Sequence, residues 1–287
     1  MDIGIGLPAT IPGVTTNQVL QWAENAEKGP FSSVSALDRL VYPNLDPLIT
    51  LAAVATVTQR VRLLTSVLVA PLRRPGVLAK QALTLDSFSN GRLSLGLGVG
   101  GRKDDFLAAP ATFESRGRDM DRLMRVFEST WKGQSIEEGV NPIGPRPIQP
   151  EGPELLIGGF SDAAINRVGR WANGYLGTGP NCDLVASFYK KSQESWEKSG
   201  RSGRPRLVGA VYYVLGAENV ERGAAYITDY YGFMGEAVKN RVQDMVTTPD
   251  RVKELIIKFT EIGMDELHFW PCVPDLDQIS RLEESIK

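Results

Sequence analysis

The stretch "SLGLGVGG" spells G-x-G-x-x-G at Gly96, Gly98 and Gly101. That pattern cradles a dinucleotide pyrophosphate when it follows a strand and opens a helix. Here the glycines fall within a strand pattern, because Leu93, Leu95, Leu97 and Val99 alternate with Ser94, Gly96, Gly98 and Gly100. Alternation of period two places Gly96, Gly98 and Gly100 on one face. The next residues, "GRKDDFLAAPATFES", read as a charged loop and not a helix start. A Rossmann site for NAD is therefore not expected. A strand face without side chains either leaves room for a flat ring or packs tightly inside a barrel, and both readings stand.

The best phosphate signal is "LLIGGFSDAAINRVGRW". An apolar run ends in Gly158 and Gly159, and Ser161 and Asp162 stand where a helix begins. Free backbone N–H groups and the positive helix end make an anion seat there. The same residues also describe an ordinary Ser-capped helix after a tight turn. Asp162 is an objection to phosphate unless its carboxylate points away. "GTGP", with Gly177, Thr178 and Gly179, is a second loop of this kind. Asp38 ends an apolar run in "SALDRL" and is followed by Arg39. The only histidine, His268, has no Cys or His pattern around it, so no metal site is expected. It also has no G-x-S-x-G nucleophile turn to serve. Arg73, Arg74, Arg102 and Lys103 come after the third and fourth strands, as anion contacts or as solvated loop charges.

These residues need elements to place them. Strands are predicted near 3–7, 33–37, 61–69, 93–99, 155–158, 174–176, 207–215 and 266–269. Between them run helical patterns. "LDPLITLAAVATVTQR" opens with an Asp cap and a first-turn proline, and "RRPGVLAKQALTLDSFSNG" ends in an Asn-Gly stop. Eight strands alternating with helices in 287 residues predict a closed (β/α)8 TIM barrel in one domain, 1–287. Two segments break the rhythm, the Pro- and Gly-rich 135–153 and the helical 230–249. Both are expected to be insertions that act as lids or line the mouth.

Bulk properties narrow the partners. With 32 basic and 34 acidic residues the net charge is -2, which offers nothing to nucleic acid or to an acidic membrane surface. No run approaches the ~18 apolar residues of a membrane span. The start "MDIGIGLP" lacks the marks of a signal peptide. Cys182 and Cys272 lie far apart, as in a reduced cytoplasmic protein.

The stretches "IGIGLP", "LDRLVYPNLDPLITLAAVATVTQRVRLLTSVLVAPLRRPGVLAKQALTLDSFSNGRLSLGLGVGGRKDDF", "LLIGGFSDAAINRVGRWANGYL" and "TPDRVKELIIKFTEIGMDELHFWP" come in order over most of the chain. Through them the sequence resembles the bacterial luciferase-like family of flavin and coenzyme F420-dependent oxidoreductases. The resemblance implies a luciferase-like (β/α)8 barrel with insertions, holding FMN or coenzyme F420 noncovalently. It implies a cis peptide at Ser66-Val67 that backs the ring. It also implies a phosphate held by Gly158, Gly159, Phe160 and Ser161 with Gly177, Thr178 and Gly179, and an acid near the ring at Asp38. Relatives that oxidise sugar phosphates have histidine after that acid, where this chain has Arg39. They also carry a glutamate after the glycine strand, where this chain has Gly101.

The expected activity is hydride transfer between the cofactor and a small organic substrate. Reduction of an activated C=C or C=N bond is favoured, with Asp38 or Arg39 placing the acceptor. The alternative is an FMN-dependent monooxygenase working through a flavin peroxide. A sugar-phosphate lyase or isomerase would need a strand-end Lys or Glu that the predicted strands do not supply. A silent flavin-binding protein would hold the cofactor without turnover. The resemblance further implies a homodimer.

Overall fold

The computed structural model describes residues 1–287. Its elements run along the chain as β1 (Asp2–Gly6), α1 (Thr16–Lys28), β2 (Ser33–Ala36), α2 (Pro47–Val57), β3 (Arg62–Val69) and α3 (Pro75–Phe88). Next come β4 (Leu93–Gly98), α4 (Lys103–Ala108), α5 (Arg116–Trp131), β5 (Glu154–Gly158), α6 (Asp162–Trp171), β6 (Gly174–Thr178) and α7 (Cys182–Lys198). The last are β7 (Arg206–Tyr213), α8 (Val220–Tyr230), α9 (Val238–Gln243), α10 (Pro249–Glu261), β8 (Glu266–Pro271) and α11 (Asp277–Ser285). All neighbouring strands pair in parallel and β8 returns to β1, so the barrel is closed in chain order. The expected (β/α)8 architecture is what forms. No helix is long and apolar enough to cross a membrane, and Cys182 and Cys272 are both free thiols.

Local signals explain the helix boundaries. Asp46 accepts hydrogen bonds from the Leu48 and Ile49 N–H groups at 2.9 and 3.0 Å, and Pro47 comes next as the first residue of α2. α3 stops at Asn90 and Gly91, which hold φ of 52° and 78°. Their left-handed backbone turns the chain into β4. The segment after β4, expected as a loop, holds the six-residue helix α4, which corrects that expectation. Arg102 makes no side-chain cap there, so the helix had no start signal of the usual kind.

Inside the barrel the side chains sort into layers along the axis. At the amino-terminal ends lies an ionic layer. Arg206 bridges Glu154 at 2.8 Å and Glu266 at 2.7 Å, and Ser94 donates to Glu154 at 2.6 Å. Above it Leu64, Leu156, Leu176 and Val208 form an apolar plug. Beside the plug a polar chain climbs from Glu266. Ser33 donates to Glu266 at 2.5 Å and meets His268 Nε2 at 3.0 Å. His268 Nδ1 meets Ser35 at 3.0 Å, and the Trp270 indole N–H donates to Ser35 at 3.1 Å. His268 is fully buried and packs within this chain of polar groups. Burial alone would raise the Glu266 carboxyl. The His268 ring, Arg206 and Ser32 outweigh it and hold the group below the usual carboxylate range.

The excursion 135–153 does not line the mouth, which corrects the expectation for it. Its Ile148 and Gln149 N–H groups are taken by Asp86 at 2.7 and 3.4 Å, and the Gln149 amide donates to the Leu93 carbonyl at 2.8 Å. Those bonds tie the segment to the amino-terminal end of β4. Prolines and glycines fit it to an irregular path there, not to a cap over the cavity.

Replacing Glu266 by Gln should cost about 3 kcal/mol at neutral pH, because Arg206 loses a buried partner. The folded carboxyl titrates below its ordinary value of 4.5. Its contribution is therefore complete above that value and disappears as the pH falls through the lower, folded one. Urea unfolding of wild type and variant should show a gap that narrows on acidification. A gap as wide in acid as at neutral pH would contradict this origin.

Candidate active site

A cavity of about 430 Å³ opens at the carboxyl-terminal ends of the strands. This is the end where barrel enzymes place their chemistry. Its walls come from the ends of β2 to β8 and from 230–249, which contributes Tyr230, Tyr231, Phe233, Arg241 and Asp244.

One wall is a bulge in β3. Thr65 pairs with Leu95 and Leu68 with Leu97, so β3 carries one residue more than β4 over this step. The extra length sits at Ser66 and Val67, whose peptide is cis, as expected. Both residues line the cavity, and the Ser66 hydroxyl is buried without a hydrogen-bond partner. The glycines of β4 answer this bulge. A Cβ on Gly96 would stand 2.1 Å from the Thr65 carbonyl oxygen, and one on Gly98 would stand 2.7 Å from Val67. Gly96 is therefore a packing glycine beneath the bulge and does not reach the cavity. Gly98 and Gly100 do reach it, and Gly100 holds a φ of 74°.

A second wall is the start of α6. Gly158, Gly159 and Phe160 line the cavity, and Gly159 turns at a φ of 135°. Ser161 is exposed beside it and caps its own helix, accepting from the Ala164 N–H at 3.3 Å. The Asp162 carboxylate lies 3.8 Å from Lys191 Nζ, an exposed partner that offsets its charge. At the next strand end Thr178 and Gly179 line the cavity. Gly177 does not, because its bare side faces α7, where a Cβ would stand 2.9 Å from the Val185 side chain.

Asp38 lines the cavity, but both its oxygens are committed. Oδ2 accepts from the Val69 N–H at 2.8 Å and from Arg73 at 2.7 Å, and Oδ1 accepts from Arg73 at 3.2 Å. Asp38 thereby ties the end of β2 to the end of β3. Arg39 does not enter the cavity. Its guanidinium donates to the Tyr230 carbonyl and to Asp104, each at 3.2 Å, and lies 4.9 Å from the Tyr42 ring centre. The expected role of Arg39 in placing substrate is thus corrected. Its charge is spent on the end of α8.

Several wall residues carry no distinct signal in the sequence. Arg102, expected only as an anion contact or a loop charge, donates to the same Tyr230 carbonyl at 3.1 Å and lies 4.4 Å from the Phe233 ring centre. Arg241 has no carboxylate within ion-pair distance and lies beside Tyr231 and near Gly179. Tyr212 and Trp270 are the last inward residues of β7 and β8. Extending the period-two pattern of those strands would have found these two. Nothing local marks Arg241.

The family model described as luciferase-like monooxygenase matches residues 1–256. An uncharacterized protein of Mycobacterium tuberculosis is 31% identical over 171 residues, covering 57% of this chain and 60% of that one. The chain thus spans about 60% of the length of that curated relative. The structure of monooxygenase RslO1 from Streptomyces bottropensis superposes with a TM-score of 0.83 at 20% identity, over 100% of this chain and 97% of that one. An F420-dependent secondary alcohol dehydrogenase in complex with an F420-acetone adduct superposes with a TM-score of 0.80 at 15% identity, over 100% and 99%.

Asp38→Ala should lower stability by about 2 kcal/mol, since it strands the Val69 N–H and leaves Arg73 with Asp46 as its only carboxylate, at 3.1 Å. Arg241→Ala, with no ionic partner to lose, should stay within about 0.5 kcal/mol of wild type. Denaturant midpoints of the two variants check this contrast.

Proposed function

The chain belongs to the luciferase-like monooxygenase family, and we propose that it moves two electrons between a noncovalently bound FMN or coenzyme F420 and a small organic substrate. The observation that carries this reading is the buried, unpartnered Ser66 hydroxyl on the β3 bulge. A polar atom left bare in such a place is spared its desolvation cost once a ligand bonds it. A flat heteroaromatic ring offers both the apolar face that Val67 needs and the polar edge that Ser66 needs.

The residues present fit such a group. Ser66, Val67 and Gly98 would hold the ring. Gly158, Gly159, Phe160 and Ser161 would hold the phosphate, with Thr178 and Gly179 beside them. The first N–H groups of α6 supply donors, and the helix end supplies positive potential. Arg241 adds a free cation at the same rim. When bound, the group supplies the hydride chemistry. The protein's part is to orient ring and substrate and to keep water out. Asp38 acts here as a positioning residue, through Val69 and Arg73. Segment 230–249 acts as the lid within a single-domain barrel, anchored where Arg39 and Arg102 grip Tyr230. A second copy would cover α2 and α3, where Ile49 and Val77 are 74% and 59% exposed.

The family description favours a second reading, oxygen insertion with FMN. Oxygen dependence separates the two. Under the hydride reading, an organic acceptor reoxidises the reduced, cofactor-loaded protein without oxygen. Reoxidation that needs oxygen supports the monooxygenase instead.

Ser161→Asp should weaken cofactor binding by about 1–3 kcal/mol, by adding repulsion and removing a donor. Fluorescence titration of apo-protein with FMN and with coenzyme F420 reads this directly and also identifies the cofactor. Unchanged affinity for the preferred cofactor would move the phosphate away from α6.

A further inference from the structure

We propose that the paired hydroxyls of Tyr212 and Tyr231 form an oxyanion-binding and proton-donating site, which directs the cavity to carbonyl-bearing acceptors, ketones or conjugated enones. The inference rests on the proposed two-electron chemistry. Tyr212 ends the inward face of β7 and is 7% exposed. Its ring is held edge-on by Trp270 at 5.1 Å, Tyr231 at 5.9 Å and Tyr226 at 6.4 Å between ring centres. Trp270 is itself fixed by the polar chain through Ser35. The Tyr212 hydroxyl is therefore set in place before any ligand arrives.

The two hydroxyls lie 3.1 Å apart, and neither has another partner. Each phenol carries one O–H donor. One donor is used within the pair, so the other is unspent at the cavity wall. Several other polar groups of the wall are engaged elsewhere, while the free Ser66 hydroxyl and Arg241 are the groups assigned to the cofactor. Asp38 is held by Arg73 and Val69, and Asp105 accepts from the Leu40 and Val41 N–H groups. The Trp270 N–H serves Ser35, and the Arg102 guanidinium lies against the Tyr230 ring, 4.6 Å from the ring centre. An unspent phenol donor in a largely apolar wall suits an acceptor oxygen that gains charge during reaction. Burial holds the Tyr212 hydroxyl well above its ordinary range, so the donor stays loaded at neutral pH.

Atoms and electrons balance over one transfer. The carbonyl carbon, or the β-carbon of an enone, accepts a hydride from the reduced flavin or deazaflavin. The π electrons move to the carbonyl oxygen, which takes the proton of Tyr212. Tyr212 is reprotonated by Tyr231, and Tyr231, half-buried beside the mouth, recovers its proton from water. The products are the alcohol, or the enol of the saturated ketone, and the oxidised cofactor.

The test uses 4-nitrophenol as an oxyanion probe, read by difference absorbance at a pH where the free probe is partly ionised. Wild-type protein should bind the phenolate form and increase its fraction. Tyr212→Phe should weaken phenolate binding about tenfold or more, the worth of one hydrogen bond to a charged acceptor. Tyr231→Phe should weaken it less, because the Tyr212 donor survives. Equal phenolate binding by wild type and Tyr212→Phe overturns the proposal. So does a loss confined to Arg241→Ala, which would assign the anion to the guanidinium. Fluorescence titration with FMN and coenzyme F420 is run on the same variants. Normal cofactor affinity in Tyr212→Phe shows an intact site, so its loss of probe is the lost donor. Failure of every form to bind either cofactor defeats the two-electron reading, whereas probe binding insensitive to Tyr212 in protein that takes cofactor defeats this inference alone.

Discussion

The cavity exists because β3 is one residue too long for β4. Between Thr65 and Leu68 the extra residue must go inward, and it can do so only where the facing strand has no side chain. Gly96 meets that condition beneath the bulge and Gly98 beside it. The misfit ends the packed interior of the barrel and leaves Ser66 and Val67 as a shelf above the apolar plug. A side chain at position 96 would collide with a backbone carbonyl, and backbone in a closed barrel has little room to yield. The bulge and the glycine strand are thus one feature seen from two strands.

Below the plug the barrel is held by charge. Arg206 between Glu154 and Glu266 makes a half-buried ionic layer, with Glu266 its buried member, whose groups are nearly all hydrogen-bonded. Burial of ions is costly unless every partner is in place. Here the arrangement also reaches the site, because Glu266, Ser33, His268 and Ser35 lead to the indole of Trp270, which packs against Tyr212. The lone histidine is a strut in this chain and not a member of the cavity wall.

The mouth is organised by two arginines on one carbonyl. Arg39 and Arg102 both donate to the Tyr230 oxygen at the end of α8, and both lie over aromatic rings of that region. Cations suit a helix carboxyl terminus, where unpaired carbonyls carry partial negative charge. The clamp fixes where 230–249 leaves the helix, and so which of its residues face inward. Tyr231 and Arg241 take their places in the wall from that anchor.

The alternation of apolar runs with capped helices determined the barrel, because eight strands joined by crossover helices close into few shapes. The Asp46-Pro47 start and the Asn90-Gly91 stop were legible for the same reason, since each acts through its own few residues. Gly158 and Gly159 were marked by their own strand-to-helix pattern and Ser66 and Val67 by family resemblance, and the structure brings all four to one cavity. Tertiary structure alone decided the rest. Arg39 turns to Tyr230, 191 positions away along the chain. Gly177 faces α7, residues 148–149 of segment 135–153 bind at the amino-terminal end, and Tyr212 meets Tyr231 only because β7 and the end of α8 converge. Periodicity states which face of an element a residue occupies. The direction of a long polar side chain beyond a strand end depends instead on partners brought in from distant segments, and no local spacing encodes them.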